Sequence, residues 1–258
     1  LSIKHYSDIS RVYLSNKKNF NCHLVIAADG RLSQIREKNN ISKDMTNFGT
    51  VMIVCKMLHE KSHENIALEV FNYNQTMAVL PLKGKISSIV TTVSADDYQE
   101  ILDMKKINFE RKITKDLNNL LGKMKLISKK YSYPMLTVHA NNFFKKRIVL
   151  IGDAAVGMHP VTAHGFNLNL RGAKILSDEI RFALKHSIDI GSKKILNKYE
   201  TAFKKVTLPI YLATNGIVRL YTNQTLPGKI ARKAVLRLGN IAWPVKNAIL
   251  DELLIKNT

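Results

Sequence analysis

The sequence predicts an α/β fold in which an antiparallel, β-rich layer interrupts a layer of parallel strands and helices. Three observations carry that expectation. Two short, mostly apolar runs, Leu24 to Ala28 and Arg147 to Ile151, end in Asp29-Gly30 and Gly152-Asp153 and lie about 120 residues apart. An apolar run that stops at a glycine turn is the pattern of a buried parallel strand opening into a loop. Between the two, β-branched and apolar residues dominate from Thr50 to Val93, and after the second, Leu168, Leu170, Ala173, Leu176, Ile180 and Leu184 recur at helical spacing.

In chain order, Ile9, Val12 and Leu14 alternate with polar residues, as in strands, up to a turn-like cluster at Asn16 to Asn19. Strands are expected at Val51 to Cys55, Ala67 to Phe71, Thr76 to Leu80 and Ile86 to Val93, with Pro81 and Gly84 as punctuation. From Ala95 to Lys125 the spacing of Ile101, Ile107, Leu117, Leu120 and Leu121 predicts helix. A final segment from Tyr199 to Ile255 reads as helices interrupted by Pro209, Gly216, Pro227, Gly228 and Pro244.

Composition narrows the function classes. The chain has 258 residues, enough for one large domain or two small ones, and only two cysteines, Cys22 and Cys55, with no C-x-x-C pair. A reducing compartment is the simpler expectation, a disulfide-stapled miniprotein is excluded, and a single Cys22–Cys55 disulfide is the disfavoured alternative. The longest apolar runs fall far short of the roughly 20 residues needed to span a bilayer. The formal net charge of +20 suits an anionic membrane surface, nucleic acid or an acidic partner, but the basic residues are spread along the chain and fit a solvated basic surface. The first 20 residues lack a signal peptide's apolar stretch, and the chain opens on Leu1, so an upstream segment is expected to be missing.

The two strand ends carry the chemistry. Gly30 and Gly152 allow backbone to approach a ligand where a Cβ would obstruct it. Asp153 can accept a hydrogen bond from a hydroxyl, and the loop from Met158 to Asn167 feeds a helix whose N-terminal N–H groups favour negative charge. The run His23 to Arg36 resembles the Asp-Gly motif of flavoprotein hydroxylases, and Arg147 to Arg171 resembles their Gly-Asp motif. Ala67 to Phe71 and Met77 to Leu82 are similar to the family's substrate-domain strands, and Tyr133-Pro134 to the lead-in to its second motif. The stretch Ala154 to Asn167 looks most like the ubiquinone-pathway ring hydroxylases. The commoner family pattern has His at Val156, Gly at Ala163, Gln at His164, Gly at Asn169 and Asp at Gly172.

The resemblance implies an incomplete FAD/NAD(P)-binding Rossmann-like domain of the p-hydroxybenzoate-hydroxylase type, with an antiparallel-sheet substrate domain. On that reading residues 1–36 form part of the FAD-binding domain, 37–140 the substrate domain, 141–190 the return to the FAD-binding domain, and 191–258 a C-terminal helical segment. The implied cofactor contacts are Asp29, Gly30, Arg31, Ser33, Gly152, Asp153, Ala154, Pro160, Gly165, Phe166 and Asn167. The implied activity is monooxygenation of an aromatic ring, a polyprenyl phenol or quinol of ubiquinone biosynthesis, by FAD through a flavin hydroperoxide. NAD(P)H or another donor would supply electrons and dioxygen the oxygen atom. The implied location is cytoplasmic, peripheral at the inner membrane face.

No two glycines are separated by a single residue, so the chain lacks the G-x-G-x-x-G loop that cradles the FAD pyrophosphate. That loop belongs upstream, and without the strand before it the parallel sheet would expose apolar edges. The alternative expectation is therefore a noncatalytic remnant, or the C-terminal half of a split flavoprotein that needs an upstream FAD-binding chain.

Other assignments are weaker. Metal ligation by Asp153, His159 and His164 is disfavoured because Pro160 breaks the helical spacing. Ser33 sits in no G-x-S-x-G elbow and is expected to cap a helix or approach pyrophosphate. Arg31 and Arg36 are candidate phosphate partners, against a plain surface role. Lys229, Arg232, Lys233 and Arg237, set among Ile230, Ala234, Val235, Leu236 and Leu238, suit either a packed amphipathic helix or a membrane surface. A nucleic-acid-binding module lacks a matching motif.

Overall fold

The computed structural model describes residues 2–72, 75–160 and 165–222. The chain forms two compact units, one of Leu1–Lys43 with His139–Thr258 and one of Asp44–Val138.

The first unit opens with β1 (Ser2–His5), β2 (Ser10–Tyr13) and β3 (Asn19–Cys22), an antiparallel sheet in that order. Its second turn is closed by Leu14 N donating to Lys18 O at 2.8 Å, with Lys17 at φ 65°. Next come β4 (Val25–Ala27) and the short helix α1 (Gln34–Lys38).

The chain then runs through the second unit. There come β5 (Lys43–His59), β6 (Leu68–Asn72), β7 (Gln75–Pro81) and β8 (Ile86–Ser94), of which β5, β7 and β8 alternate buried and outward residues, the two-residue period of a half-buried sheet. Helices α2 (Tyr98–Asp103) and α3 (Lys106–Asp116) follow, then β9 (Met124–Leu126) and β10 (Tyr131–Ala140). The sheet order is β10-β5-β8-β7-β6, with β9 also paired to β5. Ile53, Cys55, Met57, Met77, Val79 and Ile89 form one core with Phe109 and Ile113 of α3. The helical reading of 95–125 holds only to Asp116. Asn118, Asn119 and Gly122 take left-handed φ values of 49°, 55° and 71°, which ends the helix, and Met124 and Lys125 pair with His59 and Leu58 as strand.

Back in the first unit, β11 (Phe144–Lys145) pairs antiparallel to β12 (Ile148–Leu150), whose other neighbour is β4. A 3₁₀ turn at Gly152–Ala154 and the two-residue β13 (Val156–Gly157) lead towards α4 (Gly165–Lys185) and α5 (Lys193–Thr222). Leu196, Tyr199, Phe203 and Tyr211 recur three, four and eight residues apart and are buried with Ile148, Leu150, Leu168 and Leu176. Tyr199 Oη donates to Leu150 O at 2.8 Å, tying α5 to β12.

The expected breaks at Pro209 and Gly216 do not occur, since α5 continues through both. An internal proline costs a helix about 3 kcal/mol. Burial of the face carrying Phe203 and Tyr211 offsets it, at roughly 1.5–3 kcal/mol for each large side chain. Pro227, Gly228, Pro244 and the basic stretch from Lys229 to Leu238 lie outside the described residues.

Candidate cofactor-binding site

β4 and β12 are adjacent and parallel, with Val25, Ile26 and Ala27 opposite Ile148, Val149 and Leu150. Ile151 N donates to Ala27 O at 2.9 Å, extending the ladder to the strand ends. Asp29-Gly30 and Gly152-Asp153, distant in sequence, therefore emerge at the same end of the sheet. Open α/β sheets bind ligands outside the carboxyl ends of their strands. Gly30 has φ +84° and Gly152 φ +60°, and a Cβ built on either would meet nothing within 4 Å. Both turns border open space, in a backbone conformation that favours glycine.

Two carboxylates anchor these turns. Asp29 accepts from Ser33 Oγ at 2.5 Å and from Ile35 N at 3.0 Å. Asp153 accepts from Arg31 Nε through Oδ2 and from Asn169 Nδ2 through Oδ1, both at 2.7 Å. The Arg31 stem crosses Gly157 so closely that a Cβ there would lie 2.9 Å from Arg31 Cγ. One ion pair, Arg31 with Asp153, thus joins the first motif to the second.

Arg36 reinforces that junction from below. Its side chain is wholly buried. Nη1 donates to Ala154 O at 2.8 Å and Nη2 to Arg31 O at 2.6 Å, so one guanidinium holds the backbone of both motifs. The expectation that Arg36 meets a phosphate is corrected accordingly. Burial pushes its pKa down, opposed by the nearby Asp29 carboxylate.

Ser33 and Ala154, expected to touch the cofactor, are also fully buried. The Ser33 hydroxyl accepts from Arg36 N at 3.0 Å and caps α1, whereas Ala154 offers its carbonyl to Arg36. Both shape the turns from behind. Pro160 is exposed, and Gly165, Phe166 and Asn167 form the first turn of α4, with Phe166 73% exposed. His164 lies outside the described residues. Among the described residues no three His, Cys, Asp or Glu side chains gather as a metal site, and Cys22 and Cys55 are free thiols.

Sequence reasoning missed the roles of two contributors. Arg36 was legible as the residue three past a capping serine, whose side chain turns back beneath the cap. Asn169 was legible only as a departure from the family's glycine.

His159 is held neutral, with its pKa lowered to about 4 by burial and by Arg31. The unfolded chain takes up this proton near pH 6.5, before the folded chain does. Stability is therefore expected to be full above pH 6.5, to fall between pH 6.5 and 4, and to level off below. Thermal unfolding against pH should show this slope in the wild type and a shallower one in His159→Gln. With His159 half-buried, the difference should be about 1–2 kcal/mol once solvent screening is allowed for.

The residues present fit a flavin nucleotide. Two left-handed glycines border open space, an oriented carboxylate stands at one strand end, and a helix start follows. The FAD binding domain family model matches residues 7–207. The chain is 39% identical over 251 residues to ubiquinone hydroxylase UbiM of Neisseria meningitidis, covering 97% of this chain and 54% of that protein. It is 33% identical over 230 residues to ubiquinone hydroxylase UbiL of Rhodospirillum rubrum, covering 88% and 54%. The chain thus spans about half the length of these curated relatives.

Among solved structures, Klebsiella pneumoniae HpxO complexed with FAD and uric acid superposes with a TM-score of 0.73 at 14% identity, over 98% of this chain and 65% of that one. The p-nitrophenol 4-monooxygenase PnpA of Pseudomonas putida gives a TM-score of 0.72 at 17% identity, over 99% and 66%. These two share the fold. With the model match spanning most of the sequence and both motif turns in place, the chain belongs to the FAD binding domain family, and its relatives include two ubiquinone hydroxylases.

Proposed function

We propose that this chain carries the flavin-ring and substrate portion of an FAD-dependent monooxygenase that hydroxylates an aromatic ring, a polyprenyl phenol or quinol of ubiquinone biosynthesis. The observation that carries this reading is the parallel register of β4 with β12, which brings the turns of Gly30 and of Gly152 and Asp153 to one end of the sheet. The sequence relatives, both ubiquinone hydroxylases, support the substrate class.

Bound FAD supplies the redox chemistry that activates dioxygen, with NAD(P)H or another donor as the electron source. The chain's own residues bind and orient. Asp153, fixed by Arg31, accepts a ribityl hydroxyl. Gly30 and Gly152 let backbone come close to the cofactor, and the first turn of α4 at Gly165 to Asn167 turns N–H groups to negative charge on the flavin edge. On this reading Ser33 and Ala154 support these contacts from behind. No helix of the described residues is long and apolar enough to cross a membrane. A peripheral position at the cytoplasmic membrane face, suited to a polyprenylated ring, is part of the same proposal.

A second reading, one half of a split flavoprotein or a noncatalytic remnant, is favoured by the edge of the sheet. Among the described residues β4 has a strand on one side only, and Ile26 at its centre is 46% exposed. An unpaired strand edge is a template for another strand, here from a chain supplying the glycine-rich loop. Flavin absorbance of the purified chain, alone and co-expressed with such a segment, tests both. Flavin retained only with the segment supports a hydroxylase completed upstream, flavin retained alone shows that the chain suffices, and none in either case leaves the remnant.

A further inference from the structure

Beside Asp153 one buried polar atom lacks a hydrogen-bond partner. Asn169 stands one turn past Gly165 on α4, donates from Nδ2 to Asp153 Oδ1 at 2.7 Å, and has its own Oδ1 buried without a hydrogen-bond partner. Native proteins rarely leave a buried amide oxygen unpaired. The amide cannot turn over to relieve it, because its oxygen would then face a carboxylate that has no proton to give. Asp153 Oδ2 is already held by Arg31 Nε at 2.7 Å, so the carboxylate is fixed from both sides.

The Asp153 carboxylate and Asn169 Oδ1 are both acceptors, and a ligand that satisfies them must bring donors. Phosphate and carboxylate groups would bring more acceptors and like charge. A polyol chain brings several O–H donors in a row. The site adjoins Gly152, where a Cβ would meet nothing within 4 Å.

We infer that Asn169 is a binding and positioning residue for the polyol chain of the flavin: Nδ2 fixes Asp153, and Oδ1 accepts a ribityl hydroxyl. The inference rests on the flavin reading above. It also accounts for a polar side chain where the resembling family commonly has glycine.

The test compares riboflavin with lumiflavin, which has the ring but no polyol chain, by flavin fluorescence on wild type and Asn169→Ala. The full chain is used in whichever form retains flavin, alone or with the supplied segment. Asn169→Ala is expected to weaken riboflavin about tenfold, the usual weight of one buried hydrogen bond, and to leave lumiflavin within about twofold on the same grounds. The thermal midpoint of the ligand-free variant should change little, because the bond lost to Asp153 is offset by the unpaired oxygen that leaves with the side chain and by the better helix propensity of alanine. Equal weakening of both flavins, or a lowered midpoint without selective loss of riboflavin, would assign Asn169 a structural role and overturn the inference. Riboflavin bound equally by wild type and variant overturns it and leaves the flavin reading standing. If neither wild-type form binds flavin, both fall together.

Discussion

Replacing Arg36 by methionine is expected to lower the unfolding free energy by about 2–4 kcal/mol and to loosen both motif turns together. Methionine fills most of the volume, so the loss isolates the hydrogen bonds rather than a cavity. The buried carbonyl of Ala154 and the part-buried carbonyl of Arg31 lose their donor, and an unpaired buried group costs roughly 1–3 kcal/mol, less where water can reach it. Removing a desolvated charge returns part of that, because Arg36 Nε is itself buried and unpartnered. Arg36→Lys should fall between the two, since one ammonium on a flexible stem cannot reproduce a planar fork that bridges two carbonyls. Urea unfolding of the three proteins measures the order. Equal stability of Arg36→Met and wild type would mean that the clamp contributes nothing.

The second large effect is expected on α4. Alanine is normally better than glycine within a helix by about 1 kcal/mol, yet Gly172→Ala should destabilise this chain by about 1–3 kcal/mol through overpacking. A Cβ at position 172 would lie 2.6 Å from Phe203 Cζ. That ring cannot give way, being fully buried with Tyr199 stacked at 5.7 Å and Phe143 at 5.4 Å. Gly172→Asp should be worse, about 3–5 kcal/mol, because a carboxylate would be pressed into an apolar contact without a partner. The same substitution in a Phe203→Leu background should cost less, and the coupling energy of that double-mutant cycle is the measurement. A raised thermal midpoint for Gly172→Ala would show that α4 and α5 are not in close contact.

Gly172 also shows where sequence reading stops. In the resembling family aspartate is common at this position, and from the sequence the glycine is simply a departure. Against Phe203 it becomes a condition for α5 to lie where it does, and a contact between positions 172 and 203 is written in no local pattern. Asn169 is a similar case, its bulk evident from sequence and its grip on Asp153 evident only in three dimensions.

Much was legible earlier because it is local. A buried strand ending in a glycine turn, richness in β-branched and apolar residues from β5 to β8, and helical spacing in α4 follow from neighbouring residues alone, so the α/β class and the pair of motif turns were determined by the sequence. Helix termination at Asn118 and Asn119, and the run of α5 through Pro209, were decided otherwise. In the first, left-handed asparagines outweighed helical spacing. In the second, burial of Phe203 and Tyr211 outweighed a proline. The sequence by itself named candidate residues for the proposed flavin site, whereas the tertiary structure alone decided that Gly30 and Gly152 border open space and that Arg36, Ser33 and Ala154 hold the turns from behind. Side-chain direction and burial depend on partners more than 100 residues away, and short-range pattern carries no record of them.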